Sequence, residues 1–235
     1  PLVSLSDILH NNVAICEQVN KRCRPLEHFT HYLQQGYYPF GAEGFATYNQ
    51  RVENTVELLL NIELPQLRKV DIGNIRKLKA LLSVLASEVP MLVDTAKLST
   101  LLGISRNTLL AYLEYLDEAK LIKRLYSDDL SVKKMQKPDK ILMDNCNLLK
   151  VLALKEPNIG TLRETFFCNQ LGYQHQVEYS KQGDFLIDHQ ITFEIGGQAK
   201  EGKQVAAIEN AYIVADEIEY SYGNKLPIWL FGLLY

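Results

Sequence analysis

The sequence predicts an α+β fold in three consecutive parts. Apolar residues recur only at helical spacing in residues 1–90, two short helices and alternating strand residues follow in residues 91–136, and strands alternate with helices in residues 137–235. Apolar residues make up 47% of the 235 residues and charged residues 23%, which indicates packed cores rather than disorder. The expected order is therefore a helical bundle, a small mixed domain and a larger mixed α/β domain.

Composition and charge narrow the class of protein. No apolar run approaches the roughly 20 residues needed to cross a bilayer, and no secretion signal opens the chain. The four cysteines (Cys16, Cys23, Cys146 and Cys168) form no C-x-x-C pair, so we expect no zinc site. Because the cysteines are few and follow no pattern, we expect the protein to reside in a reducing cytoplasm. The net charge of -3 gives no overall positive field, so contact with nucleic acid requires a local patch.

Four helices are expected in the first part: 5–24, 26–35, 49–60 and 75–86. Ser6 is the expected N-cap of the first helix, and Gly36 ends the second. Residues 36–41 form an aromatic loop, either a plug over the core or a contact surface. The motif G-x-x-x-x-G-K-[ST] occurs nowhere in the chain, so the chain alone is not expected to bind ATP through a P-loop.

The strongest local pattern lies between residues 94 and 134. A helix over 95–102 is followed by Gly103, where glycine supplies the positive φ of a tight pivot, and by Ser105, a preferred N-cap. The segments that come next are a helix over 106–119, a strand over 121–126, a turn at 128–129 and a return strand from 131. Helix, glycine turn, helix and a two-stranded ribbon are the pattern of a winged helix-turn-helix.

In that motif the second helix lies in the major groove of DNA, with its N-terminal residues near the base edges. The candidate DNA-binding residues are the exposed positions of this helix and the first lysines of a basic strip beyond it: Arg106, Asn107, Thr108, Ala111 or Tyr112, Lys133 and Lys134. Seven basic residues oppose six acidic ones between positions 94 and 134, so the phosphate backbone would be held weakly. DNA binding and a purely packing role both stay open.

Residues 137–235 are expected to form a mixed α/β domain. Its predicted elements are a strand at 140–144, a helix at 160–170, a strand at 177–179, a hairpin of 183–187 with 191–195, the end of a helix at 206–209, and strands at 210–215 and 228–232. Three carboxylates stand out at fixed places among them: Glu164 on the helix, Asp184 at the start of the hairpin, and Glu194 on its second strand.

The order of these carboxylates resembles that of the restriction-endonuclease-like nuclease fold, in which Glu-x-Lys occupies the second strand of the hairpin. Asp184 and Glu194 are candidate ligands of Mg²⁺, a hard cation that prefers oxygen, and a lysine beside them would stabilise charge at a phosphate. Gly196 stands where that lysine belongs. Strand alternation brings neither Lys200 nor Lys203 to the same face, so we expect a residual site at most, or an inherited scaffold without activity.

Several segments together resemble the C-terminal region of prokaryotic AAA-type ATPases that carry a winged helix and a domain of unknown function. These segments are Gly36-Tyr37-Tyr38-Pro39, residues 98–125, Lys137-Pro138-Asp139-Lys140-Ile141, Asp144-Asn145, residues 160–166, Gly183-Asp184-Phe185 and residues 224–232. They follow the family's order and spacing over nearly the whole chain.

The resemblance implies an upstream P-loop ATPase core, with residues 1–90 as its helical lid and residues 137–235 as a degenerate nuclease-like end. ATP and Mg²⁺ are then implied for the parent protein, and Mg²⁺ at the nuclease-like site. The chain opens at Pro1 without Met, so we expect a piece of such an ATPase, with that core as its partner and oligomers allowed. Three functions stay open: a DNA-binding or regulatory module, a protein–protein interaction module, and a weak metal-dependent nuclease.

Overall fold

The computed structural model describes residues 3–44, 46–68, 72–127 and 137–234. The fold is a mixture of α and β, as the sequence predicts. The chain divides into two compact units: a split unit formed by Pro1–Leu33 with Ile159–Tyr235, and a central unit formed by Gln34–Asn158. None of the described helices has the length and hydrophobicity needed to span a bilayer.

The helices in the described ranges are α1 Leu5–Asn20, α2 Pro25–Gln35, α3 Tyr48–Leu58, α4 Leu64–Arg68, α5 Ile72–Glu88, α6 Thr95–Leu102, α7 Arg106–Glu118, α8 Cys146–Leu152 and α9 Ile159–Leu171. Short 3₁₀ segments occupy Pro39–Glu43 and Ile228–Leu233, and a π turn occupies Leu59–Glu63. The strands are β1 Met91–Leu92, β2 Ile122–Leu125, β3 Lys140–Met143, β4 Val177–Tyr179, β5 Phe185–Ile187, β6 Ile191–Gly196, β7 Ala211–Ala215 and β8 Lys225–Pro227.

These units do not follow the predicted boundaries at residues 90 and 136. Residues 1–33 belong with the C-terminal part, where α1 packs against the 3₁₀ segment Ile228–Leu233. Ring contacts join the same regions, with Phe29 meeting Phe166 edge to face at 4.8 Å. Residues 137–158 belong to the central unit instead, because β3 pairs with β2 and α8 packs on α3 and α5.

The N-cap of α1 differs from the one predicted from the sequence. Ser4, rather than Ser6, is the N-cap: its hydroxyl oxygen accepts from the backbone N–H of Asp7 at 3.1 Å. The Asp7 carboxylate accepts from the backbone N–H of Ser4 at 3.0 Å, which completes a capping box. Because the two side chains satisfy each other's backbone donors, the helix begins at Leu5.

The split unit is built on a five-stranded sheet in the order β4-β5-β6-β7-β8. The first three strands form an antiparallel meander, and β6, β7 and β8 run parallel. Four buried rings form the core against α9: Phe167 lies 5.4 Å from Phe185, 5.0 Å from Phe193 and 4.8 Å from Phe231. Such offset and edge-to-face pairs add to the burial of apolar area.

The predictions of two elements near the end of the chain are wrong. The strand at 228–232 is a 3₁₀ segment, and the strand lies earlier, at Lys225–Pro227. Pro227 explains the difference, because it lacks the backbone N–H that a further ladder bond needs. The helix expected to end at 206–209 is a run of turns.

The sheet of the central unit has the order β1-β3-β2, with both pairs antiparallel. Ile122 faces Met143, and Leu125 faces Lys140. All four residues of β3 are buried, as expected for a middle strand. The sequence interpretation placed the return strand at 131–134 and assigned 140–144 to another domain; β3 is the partner of β2, and 131–134 lie outside the described residues.

Candidate functional site

The consecutive helices α6 and α7 of the central unit are fixed by three caps. The Asp94 carboxylate accepts from the N–H groups of Ala96 and Lys97 at the start of α6, both at 3.0 Å. Gly103 ends α6 with φ 58°, the left-handed conformation expected from the sequence. The Ser105 hydroxyl accepts from the N–H of Thr108 at 3.1 Å and starts α7. Each cap satisfies backbone groups that a helix end leaves unpaired.

The N-terminal end of α7 presents two of the predicted DNA-binding residues. Arg106 and Asn107 are exposed. Thr108 is half-buried, and its hydroxyl lies 2.8 Å from that of Ser105, so it takes part in the cap. Tyr112 is 4% exposed and packs in the core, so its expected place on the surface is wrong. Lys133 and Lys134 lie outside the described residues.

The charge around α7 is mixed. Glu114 and Glu118 are exposed further along the helix, where they would repel phosphates. Arg124 is paired with Asp117, Nε to Oδ2 at 3.0 Å, so much of its charge is compensated. Along α7 itself, the favourable approach for an anion is therefore the N-terminal end, where the helix dipole adds to the charge of Arg106.

The second region lies in the split unit, at the end of β6. Glu194 is 2% exposed, and its Oε1 accepts from the Lys200 ammonium at 2.8 Å. Its other oxygen, Oε2, is buried and has no hydrogen-bond partner among the described residues. A buried carboxylate oxygen in this state retains the full cost of its lost hydration.

The pairing of Lys200 with Glu194 corrects the expectation that no lysine reaches this face. A turn closes after β6, with the N–H of Lys200 donating to the carbonyl of Gly197 at 3.0 Å. Because the chain turns back there, strand alternation no longer decides where the side chain points. Lys203 instead pairs with Glu201 at 2.6 Å on the surface.

The two glycines that follow Glu194 each adjoin a cationic side chain. A Cβ on Gly196 would lie 2.7 to 2.8 Å from three stem carbons of Lys200. A Cβ on Gly197 would lie 3.1 Å from Nη1 of Arg163, which is itself buried and bonded to Asp216, Nε to Oδ2 at 2.9 Å. Any other residue at position 196 would therefore displace the lysine.

Asp184 and Glu164 complete the predicted carboxylate set. Asp184 directly precedes β5, and its Oδ2 accepts from the backbone N–H of Ile195 at 2.6 Å, which holds the carboxylate against β6 at the residue after Glu194. Glu164 is half-buried on α9. Over the described ranges, no three or more His, Cys, Asp or Glu side chains form a group that could hold a metal ion. Asp184 and Glu194 together would supply at most a two-carboxylate site.

Sequence reasoning missed a polar network in the central unit. Asn147 accepts at Oδ1 from the backbone N–H of Tyr37 at 2.8 Å and from the hydroxyl of Tyr48. Burial raises the pKa of the nearby Asp144 to about 6, while hydrogen bonding from Asn145 and the positive charges of two lysines oppose that rise. The aromatic loop is therefore bonded to the buried side chains of Asn147 and Tyr48, while the rings of Tyr37 and Tyr38 remain half-exposed. The sequence alone gives no sign that this loop and Asp144-Asn145 meet.

Comparison with known proteins gives one match. The family model described as a domain of unknown function (DUF8612) matches residues 26–158, which is more than half of the chain. The match ends at the same residue as the central unit. No curated protein and no solved structure gives a significant match.

Proposed function

The chain belongs to the DUF8612 family, and we propose that it is a DNA-binding, regulatory portion of a P-loop ATPase whose nucleotide site lies elsewhere in the parent protein. The observation that carries this proposal is the order α5, β1, α6, glycine turn, α7, β2, β3, with the strands ordered β1-β3-β2. This order agrees with a winged helix-turn-helix whose second helix is α7. ATP, Mg²⁺ and the ATPase core as partner follow from the resemblance of the sequence to such ATPases.

The charges of α7 determine how DNA would bind. Arg106 and Asn107 are exposed at the N-terminal end, where side chains of this type reach guanine and adenine edges. Glu114 and Glu118 oppose phosphate along the rest of the helix, so DNA would meet the helix end rather than its length. With so few basic contacts, we expect dissociation constants of about 10⁻⁴ to 10⁻⁶ M, in the range of non-specific binding.

Fluorescence anisotropy with a labelled duplex tests this proposal. The duplex is titrated with the chain at several salt concentrations between about 50 and 200 mM. Arg106→Ala should weaken binding several-fold and reduce the slope of log affinity against log salt by about one phosphate contact. Arg22→Ala, which removes an exposed arginine from the split unit, is the matched control and should leave both quantities unchanged.

Two results would contradict the proposal: no change of anisotropy at the lowest salt, or equal effects of Arg106→Ala and Arg22→Ala. The packing alternative would then take its place. Exposed Leu101 and Leu154, which line a surface groove of about 440 Å³ in the central unit, favour that alternative. A stable oligomer or partner complex that Leu101→Ser dissolves would support it.

A metal-dependent nuclease is a second candidate, in the split unit. The observation in its favour is the buried Oε2 of Glu194, which lacks a partner among the described residues, with the Asp184 carboxylate held alongside. The donor chemistry fits Mg²⁺, which is often held by one or two carboxylates while water and phosphate fill its other positions. A bound Mg²⁺ would polarise a phosphodiester and neutralise charge that develops on it.

Calorimetric titration with Mg²⁺ and Mn²⁺ tests this candidate. The chain should bind one ion, and Glu194→Gln, which keeps the shape and removes the charge, should abolish the binding heat. Glu201→Gln, on an exposed carboxylate seven residues further along, is the control. Absence of binding heat from the unaltered chain, or equal binding by Glu194→Gln, would remove the candidate.

A further inference from the structure

We propose that Lys200 supplies, from the turn after β6, the lysine that position 196 lacks, so that Glu194 and Lys200 together restore the Glu-x-Lys pair of a nuclease-like site. This inference rests on the nuclease candidate above and identifies a residue of that site. Gly196 is then the residue that leaves room for the stem of Lys200, rather than a sign that the site has lost its lysine.

The space beside Glu194 has room for only one lysine stem. A lysine at position 196 would project from the same strand face as Glu194, because side chains two apart share a face. The stem of Lys200 already fills that position, since a Cβ on residue 196 would lie 2.7 to 2.8 Å from the Cβ, Cγ and Cδ atoms of Lys200. The two side chains are therefore mutually exclusive.

The charged group of Lys200 lies beside the Glu194 carboxylate. The Lys200 ammonium donates to Oε1 of Glu194 at 2.8 Å, so the amine ends beside the carboxylate, as it would in Glu-x-Lys. The Lys200 side chain is 35% exposed whereas that of Glu194 is 2% exposed. The amine therefore lies between the buried carboxylate and solvent, where a phosphate would arrive.

The turn that carries Lys200 is held in place by other contacts. Its backbone closes on Gly197, and the Lys225 ammonium at β8 donates to the carbonyl of Gln198 at 3.1 Å. Gly197 leaves room for the Arg163 guanidinium, whose charge is met by Asp216 at 2.9 Å. Both glycines are thus explained by cations that lie over them, and the lysine has a defined position before any ligand binds.

The chemistry of the step is hydrolysis of a phosphodiester. The oxygen of a water molecule forms a bond to phosphorus, and one ester P–O bond breaks, giving a phosphomonoester and a hydroxyl group. One proton of the water goes to the leaving oxygen and the other to solvent. Lys200 transfers no proton in this scheme: it donates hydrogen bonds to the phosphate oxygens as their negative charge grows.

The test moves the lysine back to the strand. Four proteins are compared with the unaltered chain by thermal unfolding: Lys200→Ala, Gly196→Lys, the double variant Gly196→Lys/Lys200→Ala, and Lys203→Ala. Lys200→Ala should lower the midpoint by several degrees, because it leaves the Glu194 carboxylate buried without its cation. Gly196→Lys should lower the midpoint as well, because two lysine stems then compete for one space.

The double variant should return the midpoint to within about 2 °C of the unaltered chain, since each kcal/mol moves the midpoint of a chain of this size by about 2–4 °C. Gly196 has no left-handed φ, so its backbone accepts a side chain. Lys203→Ala, on an exposed pair with Glu201, should change nothing. Effects of the two substitutions that simply add would overturn the placement of Lys200.

Cleavage of nucleic acid in the presence of Mn²⁺ gives the second readout. Lys200→Ala should reduce the rate by about 100-fold or more, and the double variant should recover most of it. Lys200→Met, which keeps the length of the stem and removes the charge, separates loss of the ammonium from loss of packing and should lose the same activity. Cleavage that survives Lys200→Met unchanged overturns the inference. If no protein cleaves but the double variant recovers its midpoint, the nuclease candidate fails and the placement of Lys200 stands.

Discussion

Replacing Asp144 by Asn should stabilise the central unit at neutral pH and leave it unchanged near pH 4. Asp144 is 9% exposed, and burial raises its pKa from 3.8 to about 6. The folded state therefore holds the proton more tightly than the unfolded state between those values, and the free energy of unfolding falls as pH rises through that window. At about 1.4 kcal/mol per unit, the loss reaches about 3 kcal/mol by pH 7.

The Asn variant removes this titration while preserving the shape of the side chain. The difference in unfolding free energy between variant and unaltered chain should be near zero at about pH 4, grow between about pH 4 and 6, and level off near 3 kcal/mol. Other titrating groups are common to both proteins and cancel in the difference. The Asp144 carboxylate accepts long hydrogen bonds from the Tyr37 hydroxyl, at 3.5 Å, and from the Asn145 amide, at 3.4 Å. The amide oxygen of an asparagine at position 144 can accept from the same two donors.

Hydrogen exchange of the central unit is the appropriate assay, because the single tryptophan, Trp229, belongs to the split unit. Amides of β3 report the opening of the central unit. Asp94→Asn is a control of opposite sign: backbone hydrogen bonds from Lys97 and Ala96 lower the pKa of Asp94, so its stabilisation is present above the unfolded pKa and is lost as pH falls. A difference for Asp144→Asn that is flat with pH would refute the reasoning.

Three further substitutions test the packing and caps. Gly103→Ala should destabilise the central unit by about 1 kcal/mol, because φ is 58° at that position. Gly73→Ala in α5 should instead stabilise the central unit by about 0.5–1 kcal/mol, because the site is open and helical. Urea unfolding monitored by hydrogen exchange measures both changes. Ser105→Ala should cost about 0.5–2 kcal/mol by removing the cap of α7, and Ser105→Asp should retain most of the stability. Phe167→Ala should cost about 3–5 kcal/mol in the split unit, measured by the fluorescence of Trp229 during urea unfolding, and a loss under 1 kcal/mol would contradict the packing described for the four rings.

Local chemistry made part of the fold predictable. The bounds of α6 were expected at 95–102 and are Thr95–Leu102, because Gly103 and Ser105 are strong signals of a helix end and a helix start. The N-cap of α1 differs from the prediction: it is Ser4, two residues before Ser6, because Ser4 and Asp7 form a capping box. Signals confined to a few adjacent residues therefore predict these helix ends to within about one turn.

Long-range contacts accounted for most of the differences. Strand β3 pairs with β2 across the intervening residues, and no local pattern distinguishes that partner from a nearer one. Residues 1–33 belong to a unit whose other part begins at residue 159. Contacts between distant aromatic rings, such as Phe29 with Phe166, hold the two parts together. The helix α8 was missed because its seven residues show too few apolar repeats, although Asn145 caps it.

The surroundings of Glu194 show that a local sequence pattern also fails to predict the position of a single side chain. The order of Glu164, Asp184 and Glu194 is visible in the sequence, but the position of Lys200 depends on a turn that returns the chain over Gly196. Periodicity along a strand says nothing about a residue beyond the turn. The unpartnered oxygen of Glu194 likewise follows from burial in three dimensions and has no counterpart in the sequence.

Chemical-shift mapping tests most directly whether α7 meets DNA through its N-terminal end. A short duplex is titrated into the isotopically labelled chain at low salt, with amide shifts followed for every assigned residue. We expect salt-sensitive shifts concentrated at Ser105, Arg106 and Asn107, with Glu114 and Glu118 little affected. An absence of shifts, or shifts confined to the split unit, would contradict it.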